Sequence, residues 1–228
     1  TQKKVLKWVR AGYSMMFVPI AKNEVNGPPR FKAKLEMVKR SLKRLGHSPN
    51  QIKKILASPE PVSMDFPNSK GLADHMDVAR KEVSNCVKNR AVRIWADLPH
   101  KITKGKPKPF VISPLNLAYR ARDGKWRLII NMMYINLWQK YFPIHFEAIR
   151  DFVIMLERLT EEMGEPPVIC VADARAGYFH VSVNEAFWKF MGFRFEGVEF
   201  VYTVLGFGNA QSVKIYSTVE TSKHDAMR

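Results

Sequence analysis

The run VICVA, residues 168–172, delivers the chain to Asp173 and then turns through Ala-Arg-Ala-Gly. A strand-forming stretch that ends on a single carboxylate has few uses for it. The acid caps its own turn, holds a cation or does chemistry, because an unpaired carboxylate is costly to bury. Nucleophilic phosphatase chemistry at a strand end needs a second aspartate two residues on, and this sequence has Arg175 there. The second group with chemical potential is cationic. Arg120, Arg122, Lys125 and Arg127 surround an Arg-Asp-Gly tip between FVISPLNLAYR and KWRLIIN, and Asp-Gly between two β-rich runs predicts a tight hairpin. Two uses fit these charges. They are solvated edge-strand residues that deter aggregation, or they form a cationic finger that closes over a triphosphate or a phosphate backbone, which planar guanidinium groups match.

Such groups need a scaffold, and the rest of the chain supplies the pieces. Phe31, Leu35, Val38, Leu42 and Leu45 recur at steps of four and three with lysines and arginines between them, which predicts a basic amphipathic helix. Gly46 ends it, and Ser48 with Pro49 is a cap and first turn for a second short helix, QIKKILAS. This pair is either a DNA-reading helix-turn-helix or two helices packed on a larger body with a solvated basic face. Residues 57–70 hold three prolines and read as a linker or strand-poor loop, which places a domain boundary near residue 60. Leu72, Met76, Ala79, Val83 and Val87 predict one helix of about four turns, with His75 one step off its stripe and given no role.

Past the first hairpin, helical spacing resumes through Phe146, Ile149, Val153, Leu156 and Leu159 until GEPP breaks it. VICVA and FHVSV read as extended on either side of the Asp173 turn. WKFMGFRF and VEFVYTVLG, joined by Glu196-Gly197, predict a second hairpin that carries Phe193, Phe195, Phe200 and Tyr202. GFGNAQS then opens a helix, VKIYSTVE. Helices, hairpins and an isolated strand in this order make an α+β protein.

Composition narrows the partners. The chain has 228 residues, 46% of them hydrophobic, enough for a real core. Its net charge is +16, and residues 1–60 carry fourteen Lys/Arg against three acids. Such asymmetry points to a polyanionic partner. No apolar run approaches the roughly 20 residues of a membrane span, so an intracellular protein of nucleus or cytoplasm, without a membrane partner, is expected. Cys86 and Cys170 stand alone, outside any metal-ligand spacing.

Taken together, SPLNLAYRARDGKWRLIINMMYIN, VADARAGYFHVSV and KFMGFRFEGVEFVYTVLGFGNAQS resemble the fingers and first palm motifs of a reverse transcriptase. The branch is that of retroelements, most of all the DIRS-type elements that carry a tyrosine recombinase. VLKWVRAGYSMMFVP and the Leu-x-Phe-Gly turn are the features of that branch. The resemblance covers roughly residues 61–213, and residues 1–20 loosely.

The resemblance implies a right-hand polymerase built from fingers and a partial palm over residues 61–228, preceded by a basic helical segment over residues 1–60. It implies template-directed nucleotidyl transfer with deoxynucleoside triphosphates, an RNA or DNA template-primer and two magnesium ions. Asp173 then matches the palm aspartate that holds both metals, and Ala174 the neighbour whose carbonyl helps hold one. Tyr178 matches the aromatic residue under the incoming sugar. Lys125 and Arg127, with Arg120 and Arg122 beside them, match the grip on the triphosphate, and Phe207 and Gly208 match the turn that packs on nucleotide and template. Gly206, Val213, Asn131 and Ala121 depart from the family pattern of proline, proline, aspartate and lysine. The Tyr-x-Asp-Asp hairpin that completes the family's metal site does not occur among these residues, which implies a truncated and inactive polymerase. The alternative is a non-catalytic, basic nucleic-acid-binding protein.

Overall fold

A computed structural model of the chain describes residues 2–28, 30–122, 124–144, 149–169 and 177–226. Asp173 and Ala174, and Phe146 of the expected helical stripe, lie outside the described residues. The chain opens with helix α1 (Gln2–Ala11) and α2 (Ile20–Asn26), followed by α3 (Phe31–Arg44) and α4 (Pro49–Leu56). α3 forms where its spacing predicts and buries Phe31, Leu35, Val38 and Leu42, which leaves its lysines and arginines in solvent. A reciprocal capping box starts α4: Ser48 Oγ accepts from the Gln51 amide at 3.3 Å, and Gln51 Oε1 accepts from the Ser48 amide at 2.7 Å.

Residues 57–70 do more than link. They contribute a two-residue strand, β1 (Met64–Asp65), and bury Met64 and Phe66. A 3-10 turn (Lys70–His75) and α5 (Met76–Lys88) replace the single helix expected from Leu72 to Val87. The break falls at His75, whose φ of −142° is outside helical geometry. Its ring lies 4.1 Å from that of Trp126, so the histidine serves packing.

Then come β2 (Val92–Ile94), α6 (His100–Thr103), β3 (Val111–Ile112), β4 (Leu115–Arg120), β5 (Lys125–Ile130), α7 (Met133–Asn136) and α8 (Ile149–Met163). After a 3-10 turn (Gly177–His180) the chain ends in α9 (Glu185–Trp188), β6 (Gly192–Phe195), β7 (Val198–Tyr202) and α10 (Ser212–Ala226). One sheet has the order β1-β3-β6-β7-β2, parallel from β1 to β6 and antiparallel beyond; β4 and β5 form a separate hairpin. The run FVISPLNLAYR is therefore divided between the two sheets at Ser113–Pro114, because proline cannot donate to a ladder. Phe193 stacks on Phe200 at 5.3 Å across the β6–β7 pair, as the aromatic spread on those strands predicts.

Two apolar cores hold these layers. The larger gathers α1, α5, the hairpin base, the β6–β7 strands and α10 around Trp95, Met191, Phe193 and Leu205. The smaller packs α3 against β1, α7 and Phe190, with Trp138 fully buried at its centre. At the sheet edge Arg194 makes two bonds to Asp65, at 2.9 and 3.3 Å, and Lys108 adds a third at 2.7 Å. Burial pushes the Asp65 carboxyl up, but the Lys108 and Arg194 bonds outweigh it and hold the group below its ordinary value.

Two expectations differ near Asp173. Val168 and Ile169 lie outside any strand and are exposed, since an apolar run forms a strand only where a ladder partner meets it. In FHVSV, Phe179 and His180 belong to the 3-10 turn, and the extended part begins at the Ser182–Val204 and Val183–Tyr13 bridges.

Candidate functional site

The β4–β5 hairpin is built with two unlike faces. Residues directly opposite in an antiparallel pair share a face, and successive pairs alternate. The register pairs Arg120 with Lys125, Ala118 with Arg127 and Asn116 with Ile129 on one face. Tyr119 with Trp126, Leu117 with Leu128 and Leu115 with Ile130 occupy the other. That second face is the anchor: Leu115 and Ile130 are buried, Leu117 and Leu128 pack on the larger core, and Trp126 rests on His75.

The first face therefore points away from the core and carries Arg120, Lys125 and Arg127 together, all exposed, with Arg122 at the tip. Like charges placed opposite one another destabilise a ladder. The Arg120 guanidinium responds: partial loss of solvation, then the charges of Arg127 and Arg122, hold it below its ordinary value.

Tyr178 stands in the 3-10 turn that comes after Asp173 in sequence. Its ring meets Phe207 edge-on at 5.0 Å and Tyr216 of α10 at 5.5 Å. Phe207 is 57% exposed, a large apolar ring held at the surface by its neighbours. The next residue, Gly208, has φ +94°, and a methyl there would lie 2.7 Å from the carbonyl oxygen of Ile130, the last residue of β5. The Phe-Gly turn thus sits directly on the base of the hairpin. Positions 130, 178 and 207–208, far apart in sequence, belong to one chain of contacts, and Arg127 lies three residues before Ile130 on β5.

Two polar residues that sequence reasoning missed fix this turn. Asn136 of α7 donates from Nδ2 to the Gly208 carbonyl at 2.7 Å and accepts at Oδ1 from the Ala210 amide at 3.0 Å. Gln211, fully buried, accepts at Oε1 from the Tyr13 hydroxyl at 2.7 Å and from the Met16 amide at 3.3 Å. Its Nε2 donates to the carbonyls of Met16 at 2.9 Å and Lys140 at 3.1 Å. Trp8, one ring away at 5.3 Å from Tyr13, completes the lock between the N-terminal segment and the turn. The only trace of it in the sequence is the pattern Trp-x-x-x-Gly-Tyr, which says nothing of its partner.

Asn131 stands where the resemblance leads to an aspartate and is used locally: its Oδ1 accepts from the Met133 amide at 3.1 Å at the start of α7. Among the described residues no group of three or more His, Cys, Asp or Glu could hold a metal ion. The described residues do not by themselves fit a magnesium pair; they present a cationic strand face and a set of packed aromatic rings.

By class this is an α+β protein whose candidate site joins a cationic hairpin to an aromatic, glycine-bearing turn. No protein-family model matches the sequence, and no curated protein does. Among solved structures the chain is similar to the prototype foamy virus protease-reverse transcriptase, at 10% identity and TM-score 0.49, over 72% of this chain and 19% of that one. It is likewise similar to the foamy viral protease-reverse transcriptase dRH in complex with ds DNA, at 14% identity and TM-score 0.48, over 72% of this chain and 25% of that one. This chain thus spans a fifth to a quarter of the length of those two chains.

Proposed function

We propose that the chain is the fingers and part of the palm of a retroelement reverse transcriptase, of the DIRS-type branch, and that its described residues bind the deoxynucleoside triphosphate. One observation carries the reading: the face of the hairpin turned away from the core gathers Arg120, Lys125 and Arg127, and its base touches the Phe207-Gly208 turn on which Tyr178 packs. On this reading Lys125 and Arg127 grip the phosphates, and guanidinium geometry suits two-point contact with them. Tyr178 and Phe207 supply ring faces for the sugar and base. Asp173 and Ala174 are proposed as this chain's share of a magnesium site, from sequence resemblance. A metal pair bound there would supply electrostatic stabilisation of the attacking and leaving oxygens. A single carboxylate is too little for two divalent ions, so nucleotidyl transfer is proposed for a chain that also carries the Tyr-x-Asp-Asp hairpin. Residues 1–60 are proposed as a basic helical segment that holds the turn through Tyr13 and adds attraction for a template-primer.

The test is calorimetric. Arg127→Ala and Lys125→Ala are each expected to weaken deoxynucleoside triphosphate binding about tenfold, which corresponds to about 1.4 kcal/mol for a lost charged hydrogen bond. Deoxynucleoside binding, without phosphates, is expected to be indifferent to both. Equal triphosphate affinity in the variants and the parent chain sinks the reading and leaves a basic protein that attracts nucleic acid by charge alone.

A further inference from the structure

A cavity of about 1110 Å³ lies away from the hairpin. It lies between the end of α1, the loop from α6 to β3, and the segment 182–189. Its floor is apolar, made by Ile102, Trp95, Trp188 and Phe110. Its rim is cationic: Arg10, Lys101, Lys104, Lys106, Lys108 and Lys189 stand against one acid, Glu185. Lys101 is engaged with Glu185 at 3.6 Å and Lys108 with Asp65 at 2.7 Å. Lys104 and Lys106 are exposed and make no ion pair among the described residues.

The loop that presents them is stiff. Lys104 and Gly105 take left-handed conformations in succession, φ +50° and +69°, and Pro107 and Pro109 restrict the backbone on the way to β3. Trp95 Nε1 donates to the Lys106 carbonyl at 2.8 Å, and the Lys106 amide donates to the Thr103 carbonyl at 3.0 Å. Lys104 takes this conformation as the C-cap of α6, where its amide donates to the His100 carbonyl at 2.7 Å, which fixes the place at which the loop starts. Phe110, 37% exposed, has the Lys189 ammonium 5.4 Å from its ring centre. The ammonium thus lies over one face of the exposed ring.

We infer that this cleft binds a single strand of nucleic acid, with phosphates along Arg10, Lys104 and Lys106 and bases lying over Phe110 and the apolar floor. At about 1110 Å³ the cleft stands at the upper end of the usual range of ligand pockets, roughly 300–1,000 Å³, so its size admits more than one nucleotide. A duplex presents phosphates outward and keeps its bases stacked inside, so it satisfies the rim and leaves the floor empty. A single strand satisfies both, which is how cationic grooves with aromatic platforms hold unpaired strands. The inference shares no residue with the hairpin and stands or falls apart from the triphosphate site.

Fluorescence anisotropy with a labelled 15-residue oligonucleotide tests it, single-stranded or annealed to its complement. Two variants of equal charge change are compared: Lys104→Glu with Lys106→Glu in the cleft, and Lys32→Glu with Lys43→Glu on the exposed face of α3. The cleft variant is expected to lose at least tenfold in single-strand affinity and the α3 variant less than threefold, with duplex affinity falling equally in both. The slope of log affinity against log salt should flatten by about 1.4 for the single strand in the cleft variant, two contacts at about 0.7 each. Phe110→Ala is expected to lose about fivefold for the single strand and nothing for the duplex. Equal losses in the two charge variants, or a duplex that loses as much as the single strand, overturns the inference.

Discussion

Gly208→Ala is expected to destabilise the chain by about 3 kcal/mol, the sum of a left-handed backbone penalty and an overpacking penalty. The backbone at this position has φ +94°, and the new methyl would meet the Ile130 carbonyl at 2.7 Å, a backbone atom that cannot swing aside. Relief requires the Phe-Gly turn to lift from the hairpin base, which would also stretch the Asn136 bonds to Gly208 and Ala210. Gly197 is the matched comparison. Its φ is +79°, yet a methyl there meets nothing within 4 Å, so Gly197→Ala carries the backbone penalty alone, about 1 kcal/mol. Urea midpoints of the two variants separate the contributions. Equal midpoints would mean that the turn does not press on the hairpin.

Gln211→Ala is expected to cost about 3 kcal/mol, because the truncation strips buried and half-buried polar groups of a partner at roughly 1–3 kcal/mol each. The groups are the Tyr13 hydroxyl, the Met16 amide and the Lys140 carbonyl, whereas the Met16 carbonyl keeps the Lys140 amide at 2.8 Å. Burial pushes the Tyr13 hydroxyl far above its ordinary pKa, so it stays a neutral donor across the accessible pH range. Tyr13→Phe is expected to cost about 1 kcal/mol alone and close to nothing in the Gln211→Ala background, since the bond it removes is already gone. Additive costs in that double-mutant cycle would show that the two side chains do not act on each other.

How much of this was legible in the sequence depends on the range of the interaction concerned. α3 was readable because its stripe and its Gly46 stop are local, and the β6–β7 hairpin because Glu196-Gly197 takes the two positive φ values, +48° and +79°, that its tight turn requires. The hairpin of β4 and β5 was readable from the two β-rich runs that flank Asp-Gly, and its strands end at Arg120 and resume at Lys125. Its two unlike faces emerge from period-2 alternation once the register is known. α1 and α9 were not expected: α1 is anchored by Trp8 and by the Asn184 side chain on its Ala11 carbonyl, 173 positions away, and α9 is a four-residue turn capped by Asn184. Asn136 and Gln211 left no local signal, because an amide that bonds backbone 72 or 195 residues off is indistinguishable in sequence from a solvated one. Residues 57–70 misled through their prolines. Edge strands tolerate proline where central ones do not, and β1 is an edge strand. Of the site, the cationic tip, Tyr178 and the Phe207-Gly208 turn were named from sequence, and the fold supplies what sequence did not: contact between the turn and the hairpin, and between Tyr178 and Phe207.

Photolabelling with an azido-substituted deoxyadenosine triphosphate, combined with peptide mapping, tests the central claim most directly, because it reports where the base and sugar lie without requiring turnover. The account predicts label on the segments 177–180 and 205–209, competed by unlabelled triphosphate and lost in Arg127→Ala. Label concentrated on residues 101–110 or on α3, with those two segments clear, would contradict it.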